Sequence, residues 1–162
     1  MGIEIDSKRG VAASYGVRTP TGQYGSQQST KEGIIKSAMW SFTFNTLPTA
    51  STSKLNQVIP ANATIVSARL VIDTAFTSTS TTTDLSVGLQ TAAGAEIDND
   101  GLLTTTNADQ TAIAVANSII TGSGALVGKG IGATAGELVV TASVADLLTG
   151  TGRVIVEYIY NK

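Results

Sequence analysis

Residues 57–76 read QVIPANATIVSARLVIDTAF, and no other stretch restricts the fold as strongly. Pro60 has no amide hydrogen and a fixed φ, so it ends any hydrogen-bonded segment before it and opens a turn. Behind it, Val66, Ala68, Leu70, Ile72, Thr74 and Phe76 recur at every second position. A period of two puts them on one face of a strand, and Ser67, Arg69, Val71 and Asp73 on the other. The expected structure is a long strand with a committed core face, which needs further strands beside and opposite it.

The rest of the chain supplies them. In KEGIIKSAMWSFTF (31–44), Lys36, Ala38, Trp40, Phe42 and Phe44 form an alternating, largely apolar face. Leu85, Val87 and Leu89 predict a short strand. It is expected to pair antiparallel with the long one across the hydroxyl run TSTSTTTD, read as a hairpin loop or exposed tip. In ELVVTASVA, Leu138, Val140, Ala142 and Val144 are expected inward, with Val139 and Thr141 outward. In RVIVEYIY, Val154, Val156, Tyr158 and Tyr160 share a face while Ile155 and Ile159 make the other face apolar too. A strand apolar on both faces lies between two layers or under another subunit. NTLPTASTSKLN, AAGAEIDNDGLLT and DLLTGTG read as links and turns, with one helical turn compatible with residues 100–104. Residues 107–136 leave a strand and a short Ala-rich helix both open. Six or seven strands at this spacing predict an all-β fold, a single antiparallel β-sandwich over residues 31–162.

Composition agrees. The chain of 162 residues carries 24 Thr, 15 Ser, 20 Ala and 17 Gly, and only 14% charged residues, against about 25% in ordinary domains. Thr suits strands and Gly suits turns. A surface poor in Lys and Glu packs against other protein with little desolvation of charge. Residues 1–30 differ from the rest: glycines recur, Pro20 interrupts, and apolar residues stand singly. Such a segment cannot bury enough surface to fold alone. It is either a loose terminus or an extended N-terminal arm that orders against a neighbour. Residues 1–54 carry a net charge of +3 and residues 55–162 a net −5. A mildly basic arm suits an acidic partner surface, with Lys8, Arg9, Tyr15, Arg18 and Tyr24 as the candidate partner-binding residues.

Little chemistry is available. There is no Cys and no His, which removes disulfides, thiolate metal sites and the Ser-His-Asp and Cys-His arrangements. The carboxylates are scattered singly, so no acid–base pair is expected, and the chain does not read as an enzyme. Glu96, Asp98 and Asp100 before Gly101 place three oxygen ligands at alternate positions, like the start of a calcium loop. The bidentate Glu that closes such a loop is missing, and Asp before Gly is first of all a turn former. GSGALVGKGIG around Lys129 lacks phosphate-loop spacing. No cofactor is expected. A net charge of −2 and few aromatics argue against nucleic acid. MGIEIDSKRG lacks the apolar run of a signal peptide and no stretch approaches a membrane span, so synthesis in a cytoplasm without membrane insertion is expected.

Four pieces in order, IPANATIVSARLVIDTAF (59–76), LSVGL (85–89), DNDGLL (98–103) and TGRVIVEYIY (151–160), resemble small virion structural proteins of tailed bacteriophages. In that group a proline-led strand ending in an aromatic precedes a Val-Gly strand, an Asp-x-Asp-Gly turn and a final Val- and Tyr-rich strand. The resemblance covers about a third of the chain and none of its first 50 residues. It implies a jelly-roll-like sandwich that serves as a head decoration, or cement, protein on the outer capsid surface of a virion. Its partners would be the major capsid protein and itself, as a homotrimer. The alternatives are a tail or fibre adaptor and a carbohydrate-binding sandwich, the latter resting on Tyr15, Tyr24 and Tyr160.

Overall fold

The computed structural model of the chain describes residues 4–6, 11–13, 35–47 and 52–160. Near the N-terminus, β1 (Glu4–Asp6) and β2 (Val11–Ala13) pair as an antiparallel ribbon. The domain that follows contains β3 (Ile35–Thr43), β4 (Thr52–Ile59), β5 (Ala63–Ser78), β6 (Leu85–Gln90) and β7 (Glu96–Ala108). It continues through a four-residue helix α1 (Gln110–Ile113), β8 (Ser118–Thr121), β9 (Gly136–Ala142) and β10 (Leu147–Tyr160). These strands form two four-stranded sheets, ordered β3-β10-β5-β8 and β4-β9-β6-β7. Every pairing is antiparallel. One apolar cluster draws on both sheets, so the fold is all-β and sandwich-like.

The proline turn forms as expected. The Ala63 amide bonds to the Pro60 carbonyl at 3.1 Å, and Asn62 takes a left-handed φ of 61°. Asn tolerates that conformation because its short side chain bonds locally. The turn carries the chain from β4 in one sheet to β5 in the other. Along β5, Ala68, Leu70, Ile72 and Phe76 are buried. Val66 and Thr74, expected inward, are exposed. The register against β10 shifts between Glu157 and Tyr158 and again between Thr151 and Gly152. Each shift leaves an unpaired residue on β5 and resets which side faces the core. Upstream of the first, the buried positions are therefore Ala63 and Ile65. The aromatics of β3 and β5 meet as expected of core faces: Phe42 and Phe76 stack with centroids 5.6 Å apart.

Further expectations are corrected. The β6 strand does not pair with β5 but sits in the other sheet between β7 and β9. Residues 79–84 give the chain room to cross the core instead of folding back. They are also no loose tip: Thr83 is buried, and the Ser78 and Thr83 hydroxyls bond at 2.7 Å. Residues 96–108 form β7, not a turn with a helical segment. Its three register shifts against β6 let the Asp-Asn-Asp-Gly turn signal survive as irregularity within a strand. The β4 strand lay hidden in a Ser/Thr/Asn-rich link, and β10 extends back through DLLTGTG to Leu147. At the end of β9, Val144 turns outward, 63% exposed, on a left-handed φ of 72°. Val139, expected outward, is buried. It pairs with Gly88 of β6, where a Cβ would strike the Asp98 and Asn99 backbone; β7 crosses over the sheet there. Of the two readings left open after residue 107, the helix forms at α1; the strand expected on Ile113 and Val115 does not, and a strand, β8, starts only at Ser118.

The two sides of the sandwich differ. On one, residues 122–132 run between the sheets and bond to both. Amides of Gly122 and Gly128 donate to Ala68 and Ile65 of β5 at 2.8 and 2.9 Å. Those of Gly124 and Leu126 donate to Leu102 and Gly101 of β7 at 3.3 and 2.8 Å. A Cβ on Gly122 or Gly124 would collide with the β7 backbone, which is why glycine stands at both. On the other side lie β3 and β4. No backbone bond joins them among the described residues.

Candidate functional site: the outer sheet faces

The five candidate partner-binding residues Lys8, Arg9, Tyr15, Arg18 and Tyr24 lie outside the described residues. The weak calcium candidates fall on β7. Glu96 Oε1 accepts from the Asn99 amide at 3.3 Å, and Asp98 Oδ1 accepts from the Asp100 amide at 3.4 Å. Both carboxylates thus cap the irregular backbone that crosses Gly88. No cluster of three or more His, Cys, Asp or Glu able to hold a metal ion occurs among the described residues.

Burial pushes the Asp98 carboxyl above its ordinary pKa, and the hydrogen bond to and the charge of Asp100 add to the shift. A raised pKa means the folded state favours the protonated acid, so Asp98 costs stability once it ionises and costs none at acid pH. Asp98→Asn keeps the acceptor oxygen and removes the charge. The variant should melt slightly higher than the parent at neutral pH, by about 1–2 °C. That gain should vanish as pH falls below the ordinary carboxylate range. Thermal melts of both proteins across pH check it; an equal gain at every pH would show that charge is not the cause.

The outer face of the β3-β10-β5-β8 sheet holds a different arrangement, one only partly visible in the sequence. At its centre, β10 presents Arg153, Ile155 and Glu157, and β5 presents Asp73, Val71 and Arg69. Arg153 grips Asp73 as a fork, with Nε 2.9 Å from Oδ2 and an Nη 2.6 Å from Oδ1. These bonds, and the charge of Asp73, hold the guanidinium above its ordinary pKa. Diagonally opposite, Arg69 lies 3.5 Å from Glu157, which also accepts from the Ser67 hydroxyl at 2.6 Å. Two cations and two anions therefore cancel across the sheet. Around them stand exposed apolar side chains: Ile35 and Met39 on β3, 55% and 54% exposed, and Ile119 on β8, 65% exposed.

Parts of this were visible beforehand. Arg69, Val71 and Asp73 alternate on the outward face of β5, and Ile155 and Ile159 give β10 its second apolar face. The pairing of Arg153 with Asp73 and of Arg69 with Glu157 was not visible, since it depends on strand register across 80 and 88 residues of chain. What the face offers is side chains that can pack and pair.

No protein-family model matches the chain, and no curated protein matches it. Solved structures do. One match is a chain of the cyanophage Pam1 capsid asymmetric unit, with 20% identity and a TM-score of 0.58 over 89% of this chain and 99% of that one. A second is a chain of the capsid of Ralstonia phage GP4, with 21% identity and a TM-score of 0.59 over 83% and 90%. A third is a chain of the acid-stable capsid of Helicobacter pylori bacteriophage KHP30, with 18% identity and a TM-score of 0.52 over 81% and 91%. In its fold, and nearly over the full length of each match, the chain is similar to chains found in three bacteriophage capsids.

Proposed function

We propose that the chain is a structural protein of a bacteriophage capsid, and within that class a decoration protein that binds the outer surface of the shell. The observation that carries the reading is the whole-domain likeness to chains from three phage capsids, which spans at least 90% of each of those chains. A jelly-roll-like form of the sandwich and a place on the outer capsid surface of the virion belong to this same reading.

The physical logic is repetition. One copy contributes a modest contact, and many copies on one shell add those contacts into a strong whole. Its partners would be the major capsid protein below and other copies of itself beside. A sandwich rich in Thr, Ala and Gly meets protein without burying many charges. The N-terminal segment would reach across subunit boundaries, with Lys8, Arg9 and Arg18 meeting acidic shell surface and Tyr15 and Tyr24 as anchors.

Removing residues 1–25 tests this. The shortened protein should fold as the full chain does, yet lose at least tenfold in affinity for expanded capsids in a cosedimentation assay. Its binding should also lose most of its salt dependence, because the basic residues are gone. Unchanged binding would remove the arm from the mechanism, and no binding by the full chain would remove the decoration reading.

A further inference from the structure

We infer that residues 15–24 add a further strand to the open edge of β3, so that the chain's own N-terminal segment completes that sheet. The inference concerns a single chain and does not rest on the capsid reading.

The edge itself is the first observation. An outer strand carries a row of backbone N–H and C=O groups with no neighbour. Folded proteins guard such rows with shortness, charge, proline, bulges or a covering segment. Of the four outer strands of the two sheets, β3, β8, β4 and β7, three are guarded. The β8 strand has only four residues. Register breaks in β4 between Lys54 and Val58. It breaks three times along β7 against β6, and β7 carries Glu96, Asp98 and Asp100. The β3 strand has none of these protections. Its nine residues, IKSAMWSFT, hold no proline and one charge, Lys36, and they pair with β10 without a shift. Among the described residues, no strand lies on its other edge. The glycine-rich seam is no cover for it, since residues 122–132 bond to β5 and β7.

The second observation is the sequence that leads into β3. Twenty-one residues, 14–34, separate the end of β2 from Ile35. Within them, YGVRTPTGQY (15–24) sets Tyr15, Val17, Thr19 and Thr21 at every second position, and these residue types favour strands. Pro20 in such a run suits an outermost strand, where its missing amide would have faced solvent. A strand laid on the open edge of β3 is outermost. The lengths agree as well: ten extended residues reach about 33 Å and nine about 30 Å. Residues 25–34, GSQQSTKEGI, then form the return that sets the new strand antiparallel to β3. So short a link holds the segment near the edge at about millimolar effective concentration, which favours the chain's own segment over a neighbour's. Pro20 also sets the phase. Alternate residues turn their backbone groups to opposite sides of a strand. With Pro20 toward solvent, the Arg18 and Gly22 amides face solvent too, and those of Val17, Thr19 and Thr21 face β3.

Hydrogen exchange followed by NMR, on the full chain and on a chain lacking residues 2–24, tests this. In the full chain, every second amide of β3, the set that points away from β10, should exchange at least tenfold more slowly than in the shortened chain. The set that points toward β10 should change much less. Two substitutions outside the sandwich test the phase. Val17→Pro removes an amide that faces β3 and should abolish the added protection. Arg18→Pro removes one that faces solvent and should keep it. Free exchange of the outer β3 amides in the full chain overturns the inference. So does protection that survives the deletion, or that responds equally to the two prolines. Protection that fades on dilution, as light scattering shows a larger species dissociating, would assign the edge to a neighbour's segment and overturn the placement within one chain.

Discussion

Leu70→Asp should leave no folded protein. Leu70 is completely buried on β5, between Val154 of β10 and Ile120 of β8. Truncation to Ala at such a site costs about 2–5 kcal/mol through lost burial and the cavity left behind. Asp adds a carboxylate with no partner in an apolar core, and an unpaired buried charge costs several kcal/mol more. Together these are comparable to the whole stability of a domain, about 5–15 kcal/mol. Circular dichroism and a solubility assay check the outcome. Val71→Asp, one residue along and on the outward face, should fold and lose little stability as a monomer. A soluble, cooperatively melting Leu70→Asp protein would show that the inward face has been assigned to the wrong residues.

The second large effect is expected at Gly150, in the irregular first half of β10. Its φ is +124°, a backbone region that residues with a Cβ rarely adopt. A Cβ there would also overlap the Phe76 ring, the partner of Phe42 in the aromatic stack. Gly150→Val therefore meets two obstacles at once, in backbone and in packing. The expected loss is about 3–5 kcal/mol, roughly 10 °C or more in Tm. The two parts can be separated. Gly150→Ala in a Phe76→Ala background should cost clearly less than Gly150→Ala alone, because only the backbone strain remains. Additive losses would mean that the ring is not the obstacle, and an unchanged Tm for Gly150→Val would show that this stretch of β10 is laid differently.

Both sites show what the sequence could and could not reveal. Leu70 was legible, since strict alternation over residues 66–76 is a strand signal with a direction, and so were Trp40 and Phe42 on β3. Val66 and Thr74 were misplaced because a bulge changes the phase of alternation without leaving a mark in residue type. The hydroxyl run before β6 looked like a hairpin because a short polar link between alternating segments usually is one. Whether it turns back or crosses the core depends on which sheet takes the next strand, a long-range matter. In sequence, residues 122–132 show only recurring glycines, compatible with short strands or loops. Their glycines stand where two backbones approach too closely for a Cβ, and composition alone does not distinguish that from flexibility. The paired charges of the outer face belong to the same class. Arg69, Asp73, Arg153 and Glu157 are each unremarkable in sequence, and only the register of β5 against β10 makes them a set.

The stitched side of the sandwich has a mechanical consequence. A pull that separates the sheets along residues 122–132 loads the bonds to Ala68, Ile65, Leu102 and Gly101 together, so they must shear as a group. A pull on the N-terminal end of β3 loads its ladder with β10 from one end, so the strand can peel one bond at a time. The domain is therefore stiff toward one flank and yielding toward the other. The chain leading to residue 35 attaches at the yielding flank. A tether there lets tension open β3 first, while the core between β5, β7 and their glycine seam keeps its shape.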